Sequence, residues 1–357
     1  MMKDASLNDA LDLDLDDVGS GGDYGVRWTT EGAHAASHAA SHAASHIGAS
    51  PSLAAAQHTL AASVTVSGIG LHTGDTVTLT LRPAEADSGV WVRRADITDR
   101  DPMIPARWDR VVDTRLCTVL GNAAGVTVST VEHLMAALAG LGVDNAEIVV
   151  DGPELPVMDG SSAAFVAPIE AAGLRAQQAP RRVVRVLDPV TVEDGDSVAT
   201  LRPAPRGLTI DAGIDFTSAA IGRQRRVVTV TPESFRRELA DARTFGFRHE
   251  VAGLRAMGLA RGGSLDNAVV VDGDAVMNPE GLRHDDEFVR HKALDALGDL
   301  YLAGHPIVGV YAGHRPSHRL NNLLLRALFA RPEAWRIEPA PGAVPEAWAE
   351  TIDRRRA

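Results

Sequence analysis

The chain has 357 residues, of which 45% are hydrophobic, so it is long enough to form two cores of ordinary size. Its net charge of -12 argues against a nucleic-acid partner, because a surface that follows phosphates needs clustered Lys and Arg. The single cysteine, Cys117, excludes an intramolecular disulfide, and the acidic N-terminus does not resemble a signal peptide. The cysteine count and the N-terminus predict a cytoplasmic protein. No run of 18 apolar residues is present, which predicts no membrane span.

Residues 1–57 differ in composition from the remainder of the chain. They contain an acidic run at 12–17, a Gly- and Ser-rich stretch, and Ala-Ser-His repeats with histidines four apart. This composition predicts a disordered acidic and His-rich extension. The alternative is a helix that lines four imidazoles along one face and binds a metal. The four histidines are His34, His38, His42 and His46.

Strand and helix patterns alternate from Ala61 onward. Period-two alternation predicts strands at 63–66, 77–81 and 89–93. Apolar residues at helical spacing predict helices at 130–141 and 162–172, with a buried strand at 146–150 between them.

The segment Gly195-Asp-Ser-Val-Ala-Thr-Leu-Arg-Pro-Ala204 repeats Gly74-Asp-Thr-Val-Thr-Leu-Thr-Leu-Arg-Pro-Ala84 about 120 residues later. Such a repeat predicts two domains of one architecture, each a sheet backed by helices. The predicted domains are 58–180 and 181–335, followed by a tail at 336–357. The second domain is expected to have strands at 183–187 and 190–193 and helices at 232–243 and 286–303.

Glu132 and His133 lie in the first turn of a predicted helix, which Ser129 or Thr130 could cap. A carboxylate beside an imidazole supplies a base and a metal ligand together. The alternative is structural, since Glu is favoured in any first helical turn and a lone His is more often satisfied by packing.

His291 and Asp295 are four residues apart, so they share one face of the second predicted helix, as two ligands of one metal would. A buried His–Asp hydrogen bond explains the spacing equally well. Lys292 and Asp299 extend the polar face. In a third segment, 313–322, His318 is expected on a loop at a strand end, where imidazoles can act as acids or bases.

These segments supply a two-histidine, one-carboxylate set made of His133, His291 and Asp295. Such a set binds zinc and leaves one coordination position for water, as catalytic sites require. Glu132 could take the proton of that water, while Thr244 and a protonated His318 could donate to an oxyanion. The residues therefore predict an amide hydrolase with one Zn²⁺ ion.

The same residues lie in motifs that run in order from about residue 59 to residue 330. The motifs are Ile69-Gly-Leu-His-Thr-Gly74, Leu116-Cys-Thr118, Ser129-Thr-Val-Glu-His133, Gly140-Leu-Gly-Val-Asp-Asn145, Pro156-Val-Met-Asp-Gly-Ser161, Ala242-Arg-Thr-Phe-Gly-Phe247, Gly262-Gly-Ser264, Asp286-Glu-Phe-Val-Arg-His-Lys292 and Ser317-His-Arg-Leu-Asn-Asn322. In these motifs the chain resembles the UDP-3-O-acyl-N-acetylglucosamine deacetylases, zinc enzymes of lipid A synthesis.

The resemblance implies an α+β fold of two similar domains, each a two-layer sandwich of sheet and helices, with the active site between them. The implied zinc ligands are His133, His291 and Asp295, the general base is Glu132, the acid that protonates the leaving amine is His318, the oxyanion donor is Thr244, and the residue that orients His318 is Asp299.

The implied substrate is an acylated UDP-sugar, whose N-acetyl amide is hydrolysed in the committed step of lipid A synthesis. The implied substrate-binding residues are His72, Asp215, Phe216, Phe245, Lys292 and Arg315. Lys292 would lie near the diphosphate, Asp215 and Phe216 near the uridine, and residues 247–276 around the acyl chain. A monomer with at most transient contact with a membrane surface is expected.

Two residues depart from the family pattern: Arg315 stands where a lysine is expected, and Arg115 where the residue is usually apolar. Two other functions compete with this interpretation. A zinc hydrolase of another N-acetylated substrate would use the same ligands. A non-catalytic nucleotide-sugar or lipid-binding module is disfavoured, because all five residues of the proposed machinery are present.

Overall fold

The computed structural model describes residues 29–31 and 55–341. Most of the predicted extension, including its four repeat histidines, lies outside the described residues, as does most of the tail predicted at 336–357. Strands β1 (Thr29–Glu31) and β2 (Ala56–Leu60) fall wholly or partly within 1–57. Gln57 is buried and its side chain bonds Asp87 at 2.8 Å, so the folded part includes the last residues of that segment.

The first half of the described chain contains nine further strands and two helices. In chain order they are β3 (Ser63–Ile69), β4 (Thr76–Pro83), β5 (Val90–Arg94), β6 (Met103–Pro105), β7 (Val111–Asp113), β8 (Val119–Gly121), β9 (Thr127–Val128), α1 (Glu132–Leu141), β10 (Ala146–Val150), α2 (Ala163–Ala172) and β11 (Leu174–Pro180). One sheet has the order β1, β3, β4, β10, β5, β6. Its inward side chains alternate as predicted, with Val77, Leu79 and Leu81 buried along β4.

The second half contains ten strands and four helices. In chain order they are β12 (Arg182–Val186), β13 (Val190–Asp194), β14 (Ser197–Arg202), β15 (Leu208–Asp215), β16 (Arg223–Thr229), α3 (Pro232–Glu238), β17 (Phe245–Phe247), α4 (Arg248–Ala256), β18 (Val269–Asp272), β19 (Ala275–Val276), α5 (Glu287–Tyr301), β20 (Ile307–His314), α6 (His318–Phe329) and β21 (Trp335–Pro339). Strand β20 is central: it pairs with β14, β15 and β12.

The two halves repeat one topology. In the first, β10 is antiparallel to β4 and parallel to β5. In the second, β20 is antiparallel to β14 and parallel to β15. A helix precedes and another follows each central strand, and the helices pack on the sheets and on each other. The predicted α+β class with two similar units is confirmed, and no helix within 29–31 and 55–341 could cross a bilayer.

Three local predictions are wrong. The helix predicted at 232–243 ends at Glu238, because the chain turns there and the Ala242 amide bonds the Leu239 carbonyl. Neither Ser129 nor Thr130 caps α1; the Thr130 hydroxyl donates to Glu154 instead. His318 begins helix α6 rather than lying in a loop, since the Ser317 hydroxyl accepts the Leu320 amide as an N-cap.

Helices α1 and α5 cross at very close range. A Cβ atom added at Gly298 of α5 would lie 2.0 Å from the backbone carbonyl oxygen of Glu132 in α1. Only glycine permits this approach, because a backbone oxygen cannot rotate away as a side chain can. The crossing brings the start of α1 against the part of α5 that carries Asp295 and Asp299.

Replacing Gly298 with alanine is expected to destabilise the fold by on the order of 3 kcal/mol, since the methyl group overpacks two backbones. The matched control is Gly253→Ala in helix α4, where an added Cβ meets nothing within 4 Å. There, alanine should stabilise by about 0.5–1 kcal/mol through helix propensity. Urea-denaturation midpoints of the two variants test the difference. Equal midpoints would show that the crossing tolerates a side chain.

Candidate metal centre

Three buried side chains converge where α1 meets α5. Nε2 of His291 lies 3.3 Å and Nε2 of His133 3.7 Å from Oδ1 of Asp295. The two imidazole rings are 5.0 Å apart and nearly perpendicular. The predicted set is thus brought together from helices of both halves, and its ligand atoms all lie within 4.8 Å of one another.

This geometry fits a divalent metal ion. A tetrahedral ion with bonds of about 2.0–2.1 Å separates its ligand atoms by roughly 3.3 Å, close to the spacings found here. Oδ1 of Asp295 is buried and has no hydrogen-bond partner among the described residues, as expected of a ligand oxygen. Nδ1 of His291 bonds the Ala242 carbonyl at 3.0 Å, which leaves Nε2 as the lone-pair atom.

The protonation states suit metal binding. Burial and the neighbouring His291 lower the pKa of His133 to about 3, and burial also lowers the pKa of His291, so both rings are neutral. Burial alone would raise the pKa of Asp295, but His291 and Lys292 outweigh it and lower that pKa. Lys292 Nζ donates to Oδ2 of Asp295 at 2.8 Å, on the oxygen that does not face the imidazoles.

Glu132 lies beside the metal set on the first turn of α1. Its Oε2 accepts the backbone amide of Thr118 at 3.0 Å. Its side chain is buried, and burial raises its pKa to about 7 against the opposing charge of His318. A carboxylate with a pKa near neutrality can both take up and release a proton at physiological pH.

His318 faces Glu132 from the first turn of α6, with its Nε2 3.7 Å from Oε1 of Glu132. Its Nδ1 bonds Oδ2 of Asp299 at 2.9 Å. Burial opposes the charge on the imidazole, but Asp299 and Glu132 outweigh it and raise the pKa of His318 to about 9. His318 is therefore a buried cation at neutral pH, and its Nε2–H is directed toward the side of the site that holds Glu132.

Asp299 is fixed by groups that the sequence interpretation missed. Its carboxylate also accepts the Thr118 hydroxyl at 2.5 Å and the Asn321 side-chain amide at 2.9 Å. The Tyr311 hydroxyl in turn donates to Asn321 at 2.6 Å. Thr118 and Asn321 lie in the motifs Leu116-Cys-Thr118 and Ser317-His-Arg-Leu-Asn-Asn322. Those motifs were the sequence signal that could have identified both residues.

Thr244 lies in a segment that runs along the first turns of α5. Its amide bonds the Gly160 carbonyl at 2.8 Å. The preceding residue, Arg243, forms a buried ion pair with Glu287, whose Oε1 accepts both Nε at 2.9 Å and the Arg243 amide at 3.0 Å. This pair holds the segment that presents Thr244 and the Ala242 carbonyl, and the sequence interpretation did not include it.

A series of aromatic side chains extends from His291 of the metal set. The Phe245 ring lies 6.3 Å from that of His291, 5.0 Å from that of Phe288 and 5.7 Å from that of Phe216. Phe247 lies 5.8 Å from Phe216 on the far side. The predicted residues Phe216 and Phe245 thus form one apolar cluster that reaches the metal centre.

The remaining predicted residues lie in two other places. Oδ2 of Asp215 is 2.9 Å from Nη2 of Arg223 and 3.9 Å from Nη2 of Arg315, so Asp215 and Arg315 share one polar cluster at the end of β15. Arg315 has a positive φ of 50°, and its amide bonds the Gly213 carbonyl. His72 lies in the turn between β3 and β4, and its amide bonds Glu154.

Two cavities of the described chain lie away from this centre. One of about 540 Å³ lies near Tyr301 at the C-terminal end of α5, and its lining, as far as the chain is described, includes none of the predicted site residues. It is lined by aromatic and charged groups such as Trp108 and Arg182. The donor chemistry of the metal set is therefore a better guide to the active site than cavity size.

Comparisons with known proteins show the family to which the chain belongs. A family model described as "LpxC: UDP-3-O-acyl N-acetylglycosamine deacetylase" matches residues 57–330. The UDP-3-O-acyl-N-acetylglucosamine deacetylase of Phenylobacterium zucineum (strain HLK1) is 56% identical over 281 residues, which cover 79% of this chain and 96% of the relative. Proteins of the same name from Shewanella frigidimarina (strain NCIMB 400) and Shewanella loihica (strain ATCC BAA-1088 / PV-4) are 47% and 48% identical over 283 residues, 79% of this chain and 92% of each relative. The chain belongs to the UDP-3-O-acyl N-acetylglycosamine deacetylase family.

Proposed function

We propose that this chain is a zinc-dependent deacetylase that hydrolyses the N-acetyl amide of UDP-3-O-acyl-N-acetylglucosamine to a free amine and acetate. This reaction is the committed step of lipid A synthesis. The observation that carries the proposal is the buried set of His133, His291 and Asp295, flanked by Glu132 and His318, in a chain of this family. This arrangement allows Glu132 to act as a base and His318 as an acid on one amide beside the metal ligands.

Zinc is the metal that the ligand set favours. Two neutral imidazoles and one carboxylate are typical of catalytic zinc sites, which keep a fourth position open. When bound, the ion supplies a positive charge that acidifies water and polarises the amide carbonyl. The ligand residues hold this charge at the junction of α1 and α5, next to the carboxylate of Glu132.

Glu132 serves as the general base. It takes a proton from the water that attacks the amide carbon, and its raised pKa makes it a stronger base than an exposed glutamate. The Thr118 amide holds one carboxylate oxygen, so the other remains directed toward His318 and the reacting group.

His318 serves as the general acid. Its proton goes to the nitrogen of the amide as the carbon–nitrogen bond breaks, which releases the sugar as a neutral amine. Asp299 orients the ring through Nδ1 and stabilises its charge, as a carboxylate does for a catalytic imidazole. The Thr244 hydroxyl donates to the carbonyl oxygen while negative charge develops there.

The substrate assignments are part of this proposal. The Lys292 ammonium group donates one proton to Asp295, and its two other protons, which bond no side chain of the described residues, can donate to a phosphate oxygen. The Phe216 and Phe245 cluster fits a nucleobase or the start of an acyl chain, and residues 247–276 form the acyl passage. His72, Asp215 and Arg315 contact the polar parts of the nucleotide sugar. The monomeric state, the cytoplasmic location and transient membrane contact stay predictions.

The substrate is tested by acetate release from UDP-N-acetylglucosamine with and without a 3-O-acyl chain. Acylated substrate should give kcat/KM higher by at least about 100-fold, because burying several methylenes contributes about 0.8 kcal/mol each. Mass spectrometry of acetate and free amine measures both reactions. Equal rates for the two sugars would favour a different N-acetylated substrate.

The pH dependence of kcat/KM should be bell-shaped. Activity rises as Glu132 loses its proton, at or below about pH 7 because a bound cation lowers this pKa further. Activity falls at or below about pH 9 as His318 loses its proton, because the same cation lowers this pKa as well. Glu132→Ala and His318→Ala should each reduce kcat about 10²–10⁴-fold, and only His318→Ala should remove the alkaline limb.

Metal analysis separates these roles from metal binding. Glu132→Ala and His318→Ala should retain about one zinc per chain, whereas Asp295→Asn should lose zinc and regain some activity when zinc is added. A His318→Ala enzyme with the wild-type rate and an unchanged alkaline limb would contradict the acid role.

A further inference from the structure

Glu154 lies between β10 and α2 and plays no part in the mechanism above. Its side chain is fully buried. Its carboxyl oxygens accept the backbone amides of His72 and Thr73, each at 2.9 Å, and the Thr130 hydroxyl at 3.0 Å. The Glu154 carboxyl group therefore links the turn at His72 to the start of α1 at Thr130, which are about 60 residues apart in the chain.

One link is to the turn that carries His72. A Cβ added at Gly70 would lie 2.3 Å from Oγ1 of Thr73 and 2.6 Å from Oε2 of Glu154, so this turn packs closely over the carboxyl group. The turn is tight, since the Gly74 amide bonds the Gly70 carbonyl at 2.9 Å. Both ring nitrogens of His72 are buried without a partner among the described residues, so the ring has hydrogen-bonding capacity that the described chain leaves unused.

The other link is to the start of α1. Thr130 has a φ of 58°, a left-handed conformation that is rare for a β-branched residue and persists only where neighbours enforce it. The Glu154 carboxyl supplies that constraint through the Thr130 hydroxyl. The backbones on either side are joined as well, since the Leu155 amide bonds the Ser129 carbonyl at 3.0 Å. Glu132 follows two residues later.

We infer that Glu154 is a positioning residue that sets the His72 turn and the first turn of α1 relative to each other. It acts on substrate binding through His72 and on the chemical step through Glu132, without contact with the reacting atoms. The inference rests on the proposed deacetylase function for its kinetic readout.

The test begins with Glu154→Gln in the full-length zinc enzyme. Glutamine keeps the size, but its NH2 group puts donors in place of one of the two oxygens that accept from the turn and from Thr130. We expect kcat/KM to fall about 10–100-fold at full zinc content, as small misplacements of catalytic groups typically cause. Amide hydrogen exchange at His72 and Thr73 should speed up, while exchange along β4 stays unchanged.

Further variants separate the two links. Thr130→Val removes the hydroxyl at the start of α1 and should lower kcat with KM unchanged, whereas Thr130→Ser keeps the hydroxyl and should keep kcat. His72→Ala should raise KM, and the double variant with Glu154→Gln should have a KM no higher than the worse single variant. Asp151→Asn is the control: this exposed carboxylate accepts the Thr78 amide at 2.7 Å on the same sheet and should leave both constants unchanged.

The outcomes are distinct. A wild-type enzyme that releases no acetate contradicts the proposed function, and hydrogen exchange still tests the inference in that case. Unchanged exchange at His72 and Thr73 in Glu154→Gln overturns the inference, whatever the activity. Additive effects on KM in the double variant, or a Thr130→Val enzyme with wild-type kcat, overturn it as well.

Discussion

The contact between Gly298 and the Glu132 carbonyl sets the spacing on which the metal centre depends. His133 is the next residue along α1, and Asp295 and Asp299 lie within one turn of Gly298 on α5. One backbone contact therefore fixes the distance between His133 in the first half and Asp295 in the second half. Nε2 of His133 and Oδ1 of Asp295 are 3.7 Å apart, near the roughly 3.3 Å that a tetrahedral ion spans, and a wider crossing would move them further from that spacing.

Charge balance is the second constraint on this site. Buried charges are costly unless each has a partner, and here the partners are neighbours on adjacent helices. Lys292 neutralises Asp295 from within α5, while His318 lies between Glu132 and Asp299. Burial raises the pKa of Glu132 to about 7, while Asp299 and Glu132 outweigh burial and raise the pKa of His318 to about 9. An acid–base pair needs pKa values of this kind near neutral pH.

The sequence predicted the elements whose signals are local. Spacing along one helix placed His291 and Asp295 on a shared face, and the repeat of 74–84 at 195–204 predicted the duplicated topology. It did not predict that Gly298 contacts Glu132 or that Thr118 reaches Asp299, because these contacts join residues 166 and 181 positions apart. The predicted cap of α1 is wrong because the Thr130 hydroxyl bonds Glu154, a residue distant in sequence, instead of capping its own helix.

The central claim is that His133, His291 and Asp295 hold one catalytic zinc ion across the two halves. Anomalous diffraction from a crystal of the purified enzyme, recorded on both sides of the zinc absorption edge, tests it most directly. We expect a single zinc peak about 2.0–2.2 Å from Nε2 of both histidines and from Oδ1 of Asp295, with the fourth position free of protein atoms. A peak elsewhere, or one closed by a fourth protein ligand such as Glu132, would contradict it.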